Sequence, residues 1–193
     1  MMMRLPRSFF ERSAKEVAIS LLGKLLVRQT EMGVRIARLV EVEAYLGRED
    51  LAAHSSKGVT SRTSVMFGEA GHAYVYLIYG MHHCMNVVTG PEGSGSAVLL
   101  RAAEPVQGLD ADTRGPGRLA RALGIDKRLY GLDLCAPGSP LYLADDDFEP
   151  GEVLSSPRIG VHYAGEWALA PLRYYVANSP WISKIARPQN LKK

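Results

Sequence analysis

The residues with the most chemical potential stand close together in Glu41-Val42-Glu43-Ala44-Tyr45. Side chains alternate along a strand, so Glu41, Glu43 and Tyr45 would share one face and Val42 and Ala44 the other. Neighbouring carboxylates raise the proton affinity of one of the pair, which suits acid or base work. A half-exposed edge strand gives the same spacing and is its commoner cause. Tyr74 and Tyr76 share a face in the same way, and core packing accounts for both. Tyr79 falls beside Gly80 at a turn. An aromatic at a hairpin tip is poorly placed for the core of its own sheet and well placed as a wedge. Flat aromatics near a histidine can also sandwich a planar ligand.

Arg101 ends the apolar run Ala97-Val98-Leu99-Leu100. A guanidinium there is either paired, with Glu43 or Glu104 as partners, or aimed at a cleft. Asn86, between Met85 and Val87, sits in a strand expected to be buried and must be hydrogen-bonded. His54, His72, His82, His83 and His162 do not make a metal site with Cys84. His82-His83-Cys84 would alternate faces on a strand and could not converge on one ion. The chain has no HExxH or CxxC pair, and no GxGxxG, Walker, GxSxG or kinase signature. No metal and no cofactor are expected. Gly115-Pro116-Gly117-Arg118 sets amides and a cation at a helix start, a possible phosphate seat that any loop-to-helix turn resembles.

These residues need elements to hold them. Residues 8–27 read as one helix, with Ser13 as cap, Glu16 three residues on, and Val17, Leu21, Leu22, Leu25 and Leu26 near helical spacing. Residues 34–46 read as a strand after a Met32-Gly33 turn. The polar stretch from Gly47 to Thr63 has no period, with a helical turn expected around Glu49–His54. Residues 73–79 and 82–89 read as two strands of a hairpin, and 97–105 as a short third ended by Pro105. Residues 118–125 form a short helix, Asp145-Asp146-Asp147 a solvated loop, and 157–176 end in a strand. The tail from Lys184 to Lys193 is basic and expected to fray. No repeat or linker divides the chain. The fold class is α+β, one compact mixed domain over 1–193, with a mostly antiparallel curved sheet, surrounding helices and a protruding β-hairpin.

Composition sets outer bounds. The chain has 193 residues, 47% apolar and 22% charged. That excludes a disordered chain, a collagen and a coiled coil. No run approaches the roughly 18 apolar residues of a membrane span. The start, MMMRLPRSFFERSAKE, lacks the apolar stretch of a secretory leader. Two cysteines make no disulfide framework, so a reducing interior is expected. The net charge of +3 permits a polyanionic partner without demanding one.

Five ordered segments carry a resemblance: VEVEAYLGREDLAAHS (40–55), VMFGEAGHAYVYLIYGMHHCMNVVT (65–89), SAVLLRAAEP (96–105), GPGRLARALGI (115–125) and GVHYAGEWALAPLRYYVANSPWIS (160–183). Together with LLGKLLV near the start, they make the chain resemble the alkyladenine (3-methyladenine) DNA glycosylase family, mammalian-type enzymes and their bacterial relatives. The resemblance implies base-excision repair. A hairpin enters the minor groove, a damaged purine is flipped into a pocket, and its N-glycosidic bond is hydrolysed to leave an abasic site. By that resemblance Glu43 is the general base and Arg101 its partner in holding water. Tyr45, His54 and Tyr76 enclose the flipped base, and Asn86 disfavours guanine by crowding its 2-amino group. Tyr79 is the wedge, and Met66, Tyr74 and Met81 line the DNA-contact surface. From charge and position, Arg62, Lys57, Arg118 and Arg158 are added as phosphate contacts. The partner is double-stranded DNA with damaged purines, met by a monomer with no membrane attachment. For a bacterial member the location is intracellular, in the cytoplasm with the nucleoid.

The chain departs from the family pattern in two places. It reads Thr60-Ser61-Arg62-Thr63 where Thr-Pro-Arg-Asn is frequent, and His82 stands where tyrosine is common. Two other readings compete. One is a non-catalytic nucleic-acid-binding domain on the same scaffold. The other is a hydrolase of free nucleosides or sugars using Glu41 and Glu43, to which a hairpin wedge would be useless.

Overall fold

A computed structural model describes residues 2–183. The tail expected to fray lies outside them. In chain order the elements are β1 (Met3–Arg4), α1 (Arg7–Phe10), α2 (Ala14–Leu21), β2 (Leu25–Thr30), β3 (Gly33–Tyr45), β4 (Ala73–Ile78), β5 (His82–Thr89), β6 (Ser96–Gln107), α3 (Pro116–Leu123), β7 (Leu141–Asp145), β8 (Val153–Ser156) and β9 (Arg173–Val176). Short 3-10 turns at His54–Lys57, Ser64–Phe67, Lys127–Leu129 and His162–Ala168 join them.

The expected helix over 8–27 is three elements. Ser13 does cap, in a box where its side chain accepts from the Glu16 N–H and Glu16 accepts in return. The helix stops at Leu21. Gly23 takes φ +83° against Pro150 and Phe148, where a side chain would be strained and crowded. Beyond it Leu25, Leu26 and Val27 are all buried in a strand. A short apolar run buried on both faces has no period by which to tell strand from helix.

The strands form one antiparallel sheet in the order β1-β7-β2-β3-β6-β5-β4. β9 pairs β3 over Glu41–Glu43, and β8 pairs β9. β3 is therefore an inner strand, not the half-exposed edge its charges suggested. β6 runs through Pro105 to Gln107. Its pairing with β5 covers only Ser96–Thr89 to Leu99–Asn86, so no β5 neighbour needs a ladder N–H at Pro105. The helical turn expected around Glu49–His54 comes later, at His54–Lys57. α3 starts as expected with Pro116 and closes with left-handed Gly124.

Alternation on four adjacent strands separates the two faces of the sheet. Val42, Ala44, Val75, Met85, Val87, Val98 and Leu100 face the main core, with Phe10, Val17 and Leu21 from α1 and α2 and Leu119 and Leu123 from α3. Everything one residue out of step faces the other way. The register then sets a row directly across five strands: Tyr74 opposite Asn86, Asn86 opposite Leu99, Leu99 opposite Glu43, Glu43 opposite Arg173. Neighbours in such a row are about 5 Å apart.

Candidate active site

That row crosses a cavity of about 290 Å³. Of the residues singled out in the sequence, Glu43, Tyr45, His54, Arg62, Met66, Tyr74, Tyr76, Tyr79, Asn86 and Arg101 all line it. Five elements deliver eight of them, with Tyr79 in the turn between β4 and β5 and Met66 in the Ser64–Phe67 turn. β3 supplies Glu43 and Tyr45, β4 Tyr74 and Tyr76, β5 Asn86, β6 Arg101, and the loop after β3 supplies His54 and Arg62.

Glu43 is fully buried. It accepts from the Tyr45 hydroxyl at 2.8 Å and from the Ile159 backbone N–H at 2.8 Å, and Arg101 Nη1 lies 3.4 Å away. Arg101 is thus paired with β3, not with Glu104, and its closer carboxylate is Glu41, with Nε donating at 2.9 Å. Burial opposes its charge, but Glu43 and Glu41 outweigh burial and raise its pKa. A register irregularity aims it. Glu41 pairs with Ala102 and Val42 with Leu100, so Arg101 has no partner directly opposite. Such slips re-aim side chains beside functional sites.

The aromatic walls are polar at their edges. Burial, then Glu43, pushes the Tyr45 hydroxyl well above the ordinary phenol value, so it stays protonated and donates. His54 and Tyr76 meet edge to face at 4.7 Å between centroids, and Tyr74 lies 5.5 Å from Tyr76. These rings touch, so they form one wall and no plane fits between them. His54 Nδ1 and the Tyr74 hydroxyl share a hydrogen bond at 2.8 Å. Burial pushes Tyr74 up to about 12, and burial with the nearby Arg62 and Lys57 charges lowers His54 to about 4. Asn86 is hydrogen-bonded as required, its Nδ2 donating to the Tyr74 carbonyl at 3.1 Å. Met66 and Tyr74 are 2% and 1% exposed. They line the cavity from within and offer no outer surface.

Tyr79 stands at the tip of the β4–β5 hairpin at the cavity mouth, 86% exposed. It and Gly80 both have positive φ, 52° and 70°, as the central residues of mirror-image hairpin turns do. Met81 is exposed beside it but faces away, into a groove with His82, His83 and Arg121. His82 packs against Gly117 of α3, where a Cβ would come within 3.2 Å of it. Arg62 is exposed at the rim, its guanidinium 5.2 Å from the Tyr76 ring.

Two expected phosphate contacts are engaged elsewhere. Arg158 is fully buried, gripping Asp50 with both Nη atoms and the Ala44 carbonyl with Nη1. It cannot meet a phosphate, and instead holds the loop after β3 against the sheet. Arg118 is exposed and pairs with Asp112 at 2.9 Å.

Other lining residues were not anticipated. Ile159, Gly160, Val161 and Tyr163 come from a loop where only a later strand was expected. Cys84 and Leu99 follow from alternation alone and were open to recognition. The Thr60–Thr63 loop, for all its altered turn chemistry, is held by paired hydroxyls of Thr60 and Thr63 and by Tyr130, whose hydroxyl reaches the Ser61 and Arg62 carbonyls. Among the described residues no three His, Cys, Asp or Glu side chains group to hold a metal ion, and no helix is long and apolar enough to cross a membrane.

The match with known proteins covers the same elements. A family model for methylpurine-DNA glycosylase matches residues 8–180. A protein of Legionella pneumophila (strain Lens), named among the 3-methyladenine DNA glycosylases, is 55% identical over 95% of this chain and 100% of its own. One from Myxococcus xanthus with the same naming is 52% identical over 97% of each chain. A third, from Methanocella arvoryzae, is 49% identical over 94% of this chain and 96% of its own. The matched span holds every cavity residue, from Glu43 on β3 to Tyr163 in the last loop, and so the chain belongs to the methylpurine-DNA glycosylase family.

Proposed function

We propose that the protein is a monofunctional base-excision repair glycosylase. It flips alkylated or deaminated purines out of duplex DNA and hydrolyses their N-glycosidic bond. The observation that carries this reading is a fully buried glutamate in an aromatic cavity whose mouth lies under an exposed hairpin-tip tyrosine.

Base excision needs extrusion, because the anomeric carbon is hard to reach inside a duplex. Tyr79 fills the space the base leaves, and the base enters between Tyr45 and the His54–Tyr76 wall. A purine methylated at N3 or N7 is a cation, and aromatic faces favour a cation over its neutral parent. That base is also a good leaving group. Glu43 takes a proton from water, the water oxygen bonds to the anomeric carbon, and the glycosidic electron pair leaves with the base. Arg101 helps hold the water. Neutral lesions such as hypoxanthine need protonation as well. Asn86 rejects guanine by crowding its 2-amino group. Among the described residues no lysine lines the cavity, which supports simple hydrolysis without a Schiff base. The reading needs no metal or cofactor. It has a monomer acting on double-stranded DNA, in the cytoplasm with the nucleoid for a bacterial cell.

Single-turnover excision on duplexes carrying hypoxanthine, ethenoadenine or methylated purines tests it. Fragments are expected only after alkali. Glu43→Gln should keep lesion binding while excision falls by about 10²- to 10⁴-fold, the usual worth of a positioned base. Full single-turnover activity in that variant would remove Glu43 from the role. Tight duplex binding with no excision of any lesion would favour the non-catalytic domain.

A further inference from the structure

Glu41 does not line the cavity, yet it is fully buried and saturated with donors. Its carboxylate accepts from Arg101 Nε at 2.9 Å, Arg173 Nε at 2.8 Å, Ser183 Oγ at 2.7 Å and the Ser183 N–H at 2.5 Å. Burial would raise its pKa, but Arg101 and the bonds from Ser183 and Arg173 bring it below the ordinary carboxylate value. The two arginines reach it from both flanking strands, Arg101 from β6 and Arg173 from β9. Ser183 comes from the segment after β9, and its Oγ also accepts from Arg101 Nη2 at 3.4 Å.

Arg101 is the shared member. One edge of its guanidinium is tied to Glu41 and Ser183, and Nη1 is left 3.4 Å from Glu43. A guanidinium is planar and rigid, so fixing Nε and Nη2 also fixes where Nη1 stands. Arg101 has no backbone partner opposite to hold it in register. Its aim therefore depends on these side-chain ties.

We propose that Glu41 and Ser183 are positioning residues for the reaction, holding the Arg101 guanidinium in the plane that brings Nη1 to Glu43 without touching the substrate themselves. This rests on the reading of Glu43 as the base. It gives the segment after β9 a part in catalysis: residue 183 completes a site whose base lies 140 positions earlier in the chain.

The test uses Ser183→Ala, Ser183→Thr and Glu41→Gln in the full chain, on whichever lesion duplex the native protein excises. Three quantities are read: the single-turnover rate, affinity for the lesion duplex, and Tm. Misaiming a group by about an ångström can cost about 100-fold in rate, so Ser183→Ala and Glu41→Gln should lose about 10- to 100-fold. Affinity should stay within about twofold, because the substrate contacts are intact. Ser183→Thr keeps the hydroxyl and should restore most of the rate. Glu41→Gln strands two buried arginines, so if it does not fold, the Ser183 pair carries the test alone. Native rates in Ser183→Ala, or a loss that Ser183→Thr does not recover, would overturn the inference. Glu43→Gln run in parallel separates the two readings. Full excision there overturns the base assignment itself, whereas an inactive Glu43→Gln beside a fully active Ser183→Ala overturns only the positioning role.

Discussion

His54 shows how burial decides what a side chain can do in this cavity. Burial and the charges of Arg62 and Lys57 lower it to about 4, so the imidazole is neutral at pH 7. A cationic wall would repel a methylated, cationic purine, and a neutral ring does not. The same shift links stability to pH. In the unfolded chain the imidazole titrates near its ordinary 6.5 and in the folded chain near 4, so between those values the unfolded state binds the extra proton. The contribution is complete above about pH 6.5 and is lost as pH falls toward about 4. Urea unfolding at pH 7 and pH 5 should therefore show a larger loss for the native protein than for His54→Gln. Equal losses in the two proteins would mean that His54 titrates normally and the cavity wall is charged in mild acid.

In the proposed reading, the β4–β5 hairpin is the element on which recognition turns. Its tip, Tyr79-Gly80, holds two successive positive φ angles, and its inner strand β5 is braced where His82 meets Gly117 of α3. A braced strand lets an exposed aromatic at the tip act as a rigid wedge. Losing one base–aromatic stack costs about 1–3 kcal/mol, so Tyr79→Ser should weaken lesion-duplex binding by about 5- to 150-fold. The order of preference among lesions should not change, since the cavity walls are untouched. Native affinity in Tyr79→Ser would leave the residue as surface packing, and a reordered preference would place it in the pocket. This hairpin was readable in the sequence because aromatic and β-branched residues interrupted by Gly80 mark its strands, and once a strand is placed the alternation of side chains gives the face each residue takes. The site roles of residues on β3 and β4 came from the family resemblance, because spacing alone fits an edge strand for Glu41 and Glu43 and core packing for Tyr74 and Tyr76. Three features were not readable. The stretch Leu25–Val27 is apolar on both faces and carries no period. The slip that frees Arg101 is a relation between two strands, invisible in either alone. Ile159 serves Glu43 through its backbone N–H, which leaves no mark on residue type. Arg158 was misread for the converse reason: charge says nothing of burial, and its partner Asp50 lies 108 positions away.

At the scale of the whole molecule, several arginines are spent on partners within the fold, and Arg101, Arg158 and Arg173 are buried. Arg4 holds the carbonyls of Leu134, Ala136 and Ser139, Arg7 pairs with Asp133, and Arg38 with Asp146. Arg101 and Arg173 share Glu41, and Arg158 takes Asp50. The net charge is only +3. Beside the cavity mouth, Arg62 and Lys57 are exposed and near enough to His54 to lower its pKa. In the proposed reading, a molecule built this way grips DNA through its wedge and cavity more than through phosphate. Each neutralised phosphate adds about 0.9 to the salt slope, so two to four contacts predict a slope of roughly −2 to −4 in log affinity against log salt. Arg62→Ala should flatten that slope by about one while leaving the single-turnover rate near native at saturating protein. Lesion-duplex titrations at several salt concentrations read both quantities. A native slope near −8, or an Arg62→Ala slope equal to the native one, would defeat the argument. The first would require the internally paired arginines to turn outward on binding, and the second would move the phosphate path away from the cavity rim.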